Sequence, residues 1–342
     1  MFTVMHINHP DFTDQYWRSY YDMFVELRNR YGAMFSSVTW EELRDRQLSF
    51  IKKEDCCSSM VLLDGDDVVG WMQFIISHRG TTNENAHIFT ELVDADVPPA
   101  IVTTMANELA RLMDKYGCSK THTMAELEHM CDVFRQFGAE QLCKLDTFKL
   151  HRDNVNRSVI EDWLDTIPQQ NADLKLEFFD EPPDRYIENL AQLLTDTLRE
   201  MPEEHDTGTP FHVSTDDIRR QTQWRKENNS AAPKVLLVDN DNKLVGISNV
   251  FLSLTNPREV YQAMTGVRSD YRRRGLAKWL KAAMFTEMER RYPKFEKLTT
   301  NMRAVNEPIR RINAQMGYKL VHEGFEFTLR REHLEQYLSK SV

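Results

Sequence analysis

One pattern of residues occurs twice in this chain of 342 residues, at an offset of about 176 positions. Residues 62–71 (LLDGDDVVGW) are similar to residues 237–247 (LVDNDNKLVGI), apart from one inserted residue. Residues 135–142 (RQFGAEQL) are similar to residues 314–321 (AQMGYKLV) at an offset of 179. Landmarks that keep their spacing favour a duplicated folding unit over coincidence between two ordinary α/β segments. The sequence therefore predicts two copies of one mixed α/β domain.

Both copies alternate predicted strands with amphipathic helices, so the expected fold class is α/β with a mixed sheet. We place the copies at residues 1–150 and 174–342, because 342 residues suit two domains of roughly 100–200 residues each. The polar residues 151–173 are expected to connect them and to hold a short helix near residues 159–164. In the second copy the pattern predicts strands at residues 174–179, 234–239, 244–254, 259–267 and 297–302, and helices at residues 184–201, 214–229 and 275–292.

Composition excludes several classes of protein. The net charge is −10, whereas general nucleic-acid binders need clustered basic surface for phosphate groups. No apolar run approaches the roughly 18–20 residues of a membrane span, and the first residues show no secretory signal pattern. The cysteines form no C-x-x-C pair and predict free thiols without a metal site: Cys56, Cys57, Cys118, Cys131 and Cys143. We expect a cytoplasmic protein without nucleic-acid or membrane partners.

A basic segment interrupts this acidic chain at residues 268–281, which hold six basic residues and one acidic residue. The segment lies between the predicted end of a strand at Val267 and the predicted start of a helix at Gly275. Helix N-termini carry free backbone N–H groups and a positive dipole, and glycine lets an anion approach the backbone closely. The pattern fits a site for an anion such as pyrophosphate, and it fits a basic helix end on a solvated surface equally well.

The segment Arg272-x-x-Gly275-x-Ala277 resembles the acyl-CoA signature R/Q-x-x-G-x-G/A of the GNAT superfamily of N-acyltransferases. A second motif, about 30 residues later, is similar to the family's N-x-x-A-x-x-L-Y-x-x-x-G-F helix and strand. Its residues here are Thr300, Asn301, Asn306, Ile309, Ile312, Asn313, Gly317 and Tyr318. The order of elements from residue 174 to residue 331 also resembles that fold. The resemblance implies tandem GNAT-like domains, arranged as in mycothiol synthase.

The resemblance also implies an acyl-CoA ester as cosubstrate, with acetyl-CoA as the donor and no metal. Backbone groups at the end of the copy's fourth strand would pair with the pantetheine arm, at Thr265, Gly266 and Val267. The pyrophosphate would bind the backbone amides of Arg272, Arg273, Arg274, Gly275, Leu276, Ala277 and Lys278. Asn306 would hydrogen-bond the pantetheine arm, and Arg310 would reach a phosphate. From the residues alone, Val267 also fits a core position and Asn306 also fits an ordinary helix N-cap.

The first copy departs from this motif. At an offset of 176, residues 96–101 (DVPPAI) stand in place of residues 272–277, and the two prolines remove two amide donors. Asp96 adds negative charge where a phosphate would lie. At an offset of 179, Phe134 replaces Asn313. We therefore expect a degenerate first copy that serves as a scaffold, with acyl-CoA bound by the second copy alone.

The implied reaction is direct attack of an amine on the thioester carbonyl while both substrates are bound. Many family members carry a tyrosine general acid where this chain has Asn313, whose amide can hydrogen-bond the departing sulfur but cannot fully release a proton. Gln262 is expected to face the reaction centre. A loop between the first two helices of the second copy holds Glu203, Glu204 and His205, which would suit a cationic amine. An ordinary hydrophilic loop is the alternative interpretation of these three residues.

The resulting prediction is an N-acetyltransferase that acts on the primary amine of a small molecule, as a monomer or a homodimer. One alternative is a non-catalytic CoA-binding or interaction module, which the missing tyrosine at Asn313 favours slightly. The other is an acyltransferase for a peptide or protein amine. Binding of CoA without turnover on any amine would favour the module over the enzyme.

Overall fold

The computed structural model describes residues 2–31, 39–53, 57–76, 86–200 and 212–340. These residues form two compact units, of which unit 1 comprises residues 1–145 and 322–342 and unit 2 comprises residues 146–321. The helices and strands in chain order are β1 (Phe2–His6), α1 (Asp14–Tyr31), α2 (Trp40–Lys53), β2 (Cys57–Asp64), β3 (Asp67–Ile76), β4 (Ala86–Leu92), α3 (Pro99–Tyr116), β5 (Lys120–Ala125), α4 (Glu128–Gln136), β6 (Glu140–His151), α5 (Arg157–Gln169), β7 (Leu174–Phe179), α6 (Asp184–Arg199), α7 (Thr215–Glu227), β8 (Ser230–Ala231), β9 (Lys234–Asp239), β10 (Leu244–Ser253), β11 (Glu259–Val267), α8 (Leu276–Arg291), β12 (Lys297–Arg303), α9 (Glu307–Met316), β13 (Lys319–Arg330) and α10 (Arg331–Lys340).

In unit 1 the strands follow the order β1-β2-β3-β4-β5-β13. The pairs β1–β2, β2–β3 and β3–β4 are antiparallel, the pair β4–β5 is parallel, and the pair β5–β13 is antiparallel. Successive side chains of a strand point to opposite faces of the sheet. In β2, Met60 and Leu62 join the core cluster that contains α3, whereas Val61 and Leu63 join the cluster that contains α1. The sheet of unit 1 is therefore covered by helices on both faces.

In unit 2 the strands follow the order β7-β9-β10-β11-β12, β8 pairs with β10, and β6 neighbours β12. The pairs β7–β9, β9–β10 and β10–β11 are antiparallel, and the pair β11–β12 is parallel. Leu237 of β9 packs in one core cluster with Leu280 of α8, and Leu236 packs in another with Leu190 of α6. The α/β class with a mixed sheet, expected from the sequence, is confirmed.

Most elements of the second copy begin and end where the pattern predicts. The strands expected at residues 174–179, 234–239 and 259–267 coincide with β7, β9 and β11. Helix α7 begins with a capping box, because Ser214 Oγ accepts a hydrogen bond from the amide of Asp217 at 3.1 Å and the Asp217 carboxylate accepts one from the Ser214 amide at 2.9 Å. Local side-chain chemistry therefore sets the start of α7.

The short helix expected near residues 159–164 lies within α5 (Arg157–Gln169), and residues 151–173, expected as a connector, belong to unit 2. Ile160, Trp163 and Ile167 follow the spacing i, i+3 and i+7, which places them on one helix face. All three are buried in the core cluster that also contains the first turns of α8. The segment looks polar in the sequence because most of its other residues face solvent, and α5 helps to position the start of α8.

Residues 322–342, expected in the second copy, lie in unit 1. Residues Phe325–Arg330 of β13 pair with Lys120–Ala125, the whole length of β5. Phe327 and Leu329 are fully buried in the core cluster that contains α3. The last strand of the chain therefore covers an edge of β5 that would otherwise present unpaired backbone groups.

We expect Phe327→Ala to lower the free energy of unfolding of unit 1 by about 3–5 kcal/mol, because a fully buried ring leaves a cavity. Hydrogen exchange followed by mass spectrometry should show faster exchange in residues 120–125. Phe251→Ala is the matched control, since Phe251 is 39% exposed and lies in unit 2. Unchanged exchange of β5 in the Phe327 variant would contradict the assignment of β13 to this sheet.

Candidate functional site

The loop between β11 and α8 contains two residues in the left-handed region of backbone conformation. Arg273 has φ +64° and Gly275, the N-cap of α8, has φ +78°. This region favours glycine, because a Cβ clashes with the neighbouring backbone there. A Cβ built on Gly275 would make an ordinary van der Waals contact with the Ile167 side chain of α5, at 3.4 Å, so the positive φ and not the available space favours glycine. The glycine of the predicted motif therefore has a structural reason to be glycine.

Five consecutive backbone amides at this helix start donate to no acceptor in the described chain. They belong to Arg273, Arg274, Gly275, Leu276 and Ala277. The next two amides, of Lys278 and Trp279, already donate to the carbonyl of Gly275 at 2.9 and 3.3 Å. Free amides at the N-terminus of a 16-residue helix, together with its dipole, form an anion-binding site. We call residues 272–278 the α8 turn.

Two arginines of the α8 turn bind residues that follow helices α5 and α6. One guanidinium nitrogen of Arg272 lies 2.5 Å from a carboxylate oxygen of Glu200, directly after α6. Arg274 donates to Asn171 at 2.8 Å and to Asp173 at 2.6 Å, directly after α5. These contacts hold the loop between two helices. The side chains of Arg272 and Arg274 therefore orient the turn, and their positive charge is partly compensated.

Arg273 and Lys278 remain as cations of the α8 turn. Arg273 is exposed and forms no ion pair or hydrogen bond through its side chain within the described ranges. Lys278 Nζ lies 5.2 Å from the ring centroid of Trp163, a distance at which a cation interacts with an aromatic face. An anion bound at the free amides would lie beside these two side chains. The turn therefore offers both hydrogen-bond donors and uncompensated positive charge.

Strand β11 has an open edge beyond its first residues. It pairs with β12 only from Glu259 to Tyr261, and a bulge at Ala263 interrupts its register with β10. From Gln262 to Val267 the edge towards β12 has no partner strand in the part of the chain that the structure describes. Unpaired backbone N–H and C=O groups at an edge can bind an extended ligand. Thr265, Gly266 and Val267, which we expected to bind pantetheine, all lie on this open edge.

Helix α6 approaches β11 closely at Gly266. A Cβ at this glycine would lie 2.3 Å from Cγ2 of Thr197, so the approach requires a residue without a side chain. The hydroxyl of Thr197 is buried and has no hydrogen-bond partner among the described residues. Sequence analysis missed Thr197, because only the packing of α6 on the strand brings it to this edge.

A buried polar network lies behind the open edge. The side-chain oxygen of Gln262 accepts hydrogen bonds from Lys281 Nζ and from the Tyr318 hydroxyl, both at 2.9 Å. Its nitrogen donates to Ser248 Oγ at 2.9 Å and to Thr265 Oγ1 at 3.4 Å. The two hydroxyls lie 3.0 Å apart. We call these five residues the Gln262 network.

The bulge at Ala263 explains why Gln262 and Thr265 belong to one network. Residues three apart on a regular strand point to opposite faces, whereas one extra residue restores them to the same face. Tyr318, which the sequence analysis treated as a packing residue, contributes its hydroxyl to the network. Lys281 and Ser248 were missed, because neither belongs to a recognisable motif.

Lys281 is 2% exposed and has no carboxylate partner among the described residues. Burial therefore disfavours its charged form and lowers its pKa from 10.5 to about 7. Burial also raises the pKa of the Tyr318 hydroxyl, which stays protonated and donates to Gln262. The network thus combines a neutral phenol with an amine that changes charge near neutral pH.

The second motif begins on β12, with Thr300 and Asn301, and continues through helix α9. Asn313 is fully buried, and neither its side-chain oxygen nor its nitrogen has a hydrogen-bond partner in the described residues. Asn306 occupies the N-cap position, but its side chain makes no capping hydrogen bond, which leaves it available to a ligand. Arg310 lies 2.8 Å from the buried Asp146, so a phosphate would have to share or replace that ion pair. Glu203, Glu204 and His205 lie outside the described residues.

The corresponding helix of unit 1 lacks the anion-binding geometry. Helix α3 begins at Pro99, and its N-cap is Pro98 in an extended conformation. Proline has no backbone N–H, so both positions lack a donor. The amides of Ile101 and Val102 donate to the carbonyl of Pro98 at 3.0 and 3.4 Å. Two equivalent helices thus begin differently, and only α8 begins with a run of free amides.

Comparisons with known proteins agree with this geometry. Residues 191–318 match the model of the acetyltransferase (GNAT) family. A tandem GNAT protein from the clavulanic acid biosynthesis pathway is 17% identical to this chain, with 97% of this chain and 98% of that chain covered and a TM-score of 0.75. A GCN5-related N-acetyltransferase from Sphaerobacter thermophilus is 11% identical, with 96% of each chain covered and a TM-score of 0.67. No curated protein sequence matches this chain.

The chain therefore has the tandem GNAT fold, and the part of it that matches the acetyltransferase (GNAT) family model contains the α8 turn and the open edge of β11. The resemblance found in the sequence is confirmed. Among the described helices none is both long and apolar enough to cross a bilayer. The same residues contain no group of three or more His, Cys, Asp or Glu side chains that could hold a metal ion.

We expect Lys281→Met to stabilise the protein in a pH-dependent way. The folded-state pKa of about 7 lies below the ordinary value of 10.5, so the unfolded state binds more protons between these values. The lysine therefore destabilises the fold fully below pH 7, by up to about 5 kcal/mol, and the penalty disappears as the pH approaches 10.5. Urea unfolding should show a gain at pH 6.5 that falls by about half at pH 9.

Lys294→Met is the control for this measurement, because Lys294 is exposed and its replacement should change stability by less than about 0.5 kcal/mol at either pH. An equal gain for Lys281→Met at pH 6.5 and pH 9 would show that the amine is not desolvated in the folded state.

Proposed function

We propose that unit 2 is an N-acetyltransferase that transfers an acetyl group from acetyl-CoA to the primary amine of a small molecule, by direct attack in a ternary complex. The observation that carries this proposal is the run of five free amides in the α8 turn. It coincides with the acyl-CoA signature and lies within the residues that match the family model. N-acetyltransfer is also the activity named for the structural neighbour from Sphaerobacter thermophilus.

The α8 turn has the donors that a diphosphate needs. A hydrogen bond to a charged group contributes about 1.5–3 kcal/mol, whereas a helix dipole contributes only about 0.3–1 kcal/mol. Several amides acting together therefore outweigh the dipole. In this proposal the free amides of residues 273–277 hold the pyrophosphate, whereas the amides of Arg272 and Lys278, expected to join them, already donate to Ser269 and Gly275. The side chains of Arg273 and Lys278 add charge, and the ion pairs of Arg272 and Arg274 keep the turn in place.

The open edge of β11 suits the pantetheine arm, which carries amide groups. We assign the backbone of Thr265, Gly266 and Val267 to hydrogen bonds with this arm. Asn306 has a side chain without a capping bond and is assigned to the same arm. Arg310 is assigned to a phosphate, in competition with its ion pair to Asp146. No metal takes part in this proposal.

The reaction needs a deprotonated amine and a stabilised leaving group. An alkyl ammonium with a pKa near 10.4 costs roughly 4.6 kcal/mol to deprotonate at pH 7, which a base or a water chain must supply. Glu203, Glu204 and His205 are our candidates for that role. Asn313 is the candidate for stabilising the departing sulfur, because its buried amide has no partner among the described residues. Water then delivers the proton that asparagine cannot.

We propose that the protein acts in the cytoplasm, as a monomer or a homodimer. Unit 1 serves as a scaffold in this proposal, because Pro98 and Pro99 remove the donors that α8 retains.

The activity is tested by release of CoA from acetyl-CoA with a panel of small primary amines, polyamines, amino sugars and amino acids. We expect turnover with at least one small amine and no stimulation by peptides. Calorimetry with CoA alone gives an independent measure of binding. Binding of CoA without turnover on any amine or peptide would contradict an enzyme and favour a CoA-binding module. No binding of CoA would contradict both the enzyme and the module.

Two substitutions at Gly275 separate charge from backbone strain. Gly275→Asp is expected to weaken CoA binding by at least 100-fold, because it adds a negative charge at the free amides. Asparagine is nearly the same size as aspartate, tolerates a positive φ and carries no charge, so the Gly275→Asn variant should bind CoA more tightly than the Gly275→Asp variant. Calorimetry measures both dissociation constants.

The matched control lies in the other unit. Pro99→Gly alters the equivalent helix start, and its CoA affinity should remain within about twofold of the original protein. Equal losses of affinity for Pro99→Gly and Gly275→Asp would contradict the assignment of acyl-CoA to unit 2 alone.

A further inference from the structure

Lys281 is a lysine whose amine points into the core of unit 2. It lies in the second turn of α8 and is 2% exposed, between the buried Leu280 and the buried Ala282. Lysine is rarely buried to this extent, because removing its charge from water is unfavourable. A leucine or methionine would fill the space without that penalty. The identity of this residue therefore calls for an explanation beyond packing.

The amine of Lys281 makes one hydrogen bond, to the side-chain oxygen of Gln262 at 2.9 Å. The Tyr318 hydroxyl donates to the same oxygen at 2.9 Å, and the amine lies 5.1 Å from the Tyr318 ring centroid. Two donors that converge on one oxygen determine which end of the Gln262 amide is the oxygen. The opposite end, the nitrogen, then faces the hydroxyls of Ser248 and Thr265.

The hydrogen bonds of the Gln262 amide extend to a residue of the open edge of β11, Thr265. Gln262 directly precedes the bulge at Ala263, and Thr265 lies two residues beyond it. A Gln262 side chain rotated by 180° would place its nitrogen against the Tyr318 hydroxyl and the Lys281 amine, and the protonated amine cannot accept a hydrogen bond, so that bond would be lost. Lys281 and Tyr318 therefore select the arrangement of polar groups behind the strand edge.

No charged side chain opposes the amine of Lys281 in the described residues. On the elements packed against α8, the charged groups closest to the core have other partners, namely Lys278 over Trp163, Arg157 with Glu289, Asp239 with Tyr271, Lys234 with Ala232 and Glu181, and Glu259 with Lys297. The protonation of Lys281 therefore depends on its burial and on the Gln262 network, and not on a nearby ion pair.

We propose that Lys281 is a positioning residue for acyl transfer, which acts with Tyr318 to hold the Gln262 amide and, through it, the Ser248 and Thr265 hydroxyls behind the open edge of β11. The proposal rests on the acyltransferase function proposed for unit 2. A positioning role explains why a destabilising residue occupies this place, since strained or destabilised groups are retained where function requires them. A purely structural lysine would instead stabilise the fold.

The kinetic test compares Lys281→Met with the original protein in the acetyl-transfer assay. We expect kcat to fall about tenfold or more, because a misplaced group at a reaction centre has effects of this size, while KM for acetyl-CoA changes less than about twofold. Lys234→Met is the control, because Lys234 is also buried but contacts Ala232 and Glu181 outside the Gln262 network. The control should retain its kcat.

A structural test does not depend on activity. The side-chain amide of Gln262, assigned by its loss in Gln262→Met, is followed by ¹⁵N NMR between pH 5.5 and pH 9. In the original protein we expect one pair of Gln262 amide resonances that shifts with pH. In Lys281→Met we expect these resonances to be independent of pH and to be broadened or doubled. Tyr318→Phe removes the other donor to the same oxygen and supplies a second variant, which should also broaden or double the Gln262 signals.

These measurements separate the two proposals. Acetyl transfer by the original protein that persists unchanged in Lys281→Met overturns the positioning role and leaves the enzyme intact. A single, sharp Gln262 amide in both Lys281→Met and Tyr318→Phe overturns the role even if no amine is acetylated. Loss of stability in Lys281→Met at pH 6.5 also overturns it, because it would show that the lysine serves the fold. A fall in kcat with disordered Gln262 signals supports it.

Discussion

The position of the first turn of α8 depends on two arginine side chains that bind in opposite directions. Arg272 binds the carboxylate after α6, and Arg274 binds the polar residues after α5. Between these two contacts, Arg273 and Gly275 adopt left-handed conformations, and the amides from Arg273 to Ala277 donate to no acceptor among the described residues. The first amides of any α-helix lack an intrahelical acceptor, and the arginine contacts fix where those of α8 lie. In a run of three arginines, two therefore orient the turn and one remains available to a ligand.

The Gln262 network shows a different compromise between stability and function. Its members come from β10, β11, α8 and the residue directly before β13, and they lie beside a large cluster of apolar side chains. A buried polar group is tolerated when its hydrogen bonds are satisfied, and each polar atom of Gln262 has a partner. The amine of Lys281 is satisfied only in part, because it has one hydrogen bond and no counter-ion among the described residues. The Gln262 amide is therefore held in one orientation, whereas the Lys281 amine changes its charge near neutral pH.

The two units show how one fold can keep or lose a binding site through a few residues. Each unit contains a helix that directly follows a strand of a mixed sheet, α3 after β4 in unit 1 and α8 after β11 in unit 2. Pro98 and Pro99 begin that helix in unit 1, where they shape the backbone without donating hydrogen bonds. Gly275 begins it in unit 2, where the amides stay free. Sheet architecture is thus compatible with either outcome, and the chemistry of the helix start decides between them.

Sequence alone determined the repeat, the mixed α/β class, most strands of unit 2 and the motif around Gly275, because short-range patterns of apolar residues, caps and glycine control these features. Tertiary structure alone decided that α5 packs against the start of α8, that β13 pairs with β5, and that Lys281 meets Gln262 and Tyr318. The last contact joins residues 19 and 56 positions apart, and the hydrogen bonds lie in a core that no local pattern describes. Periodicity shows which face of an element is buried, and only the assembled core shows which buried groups touch.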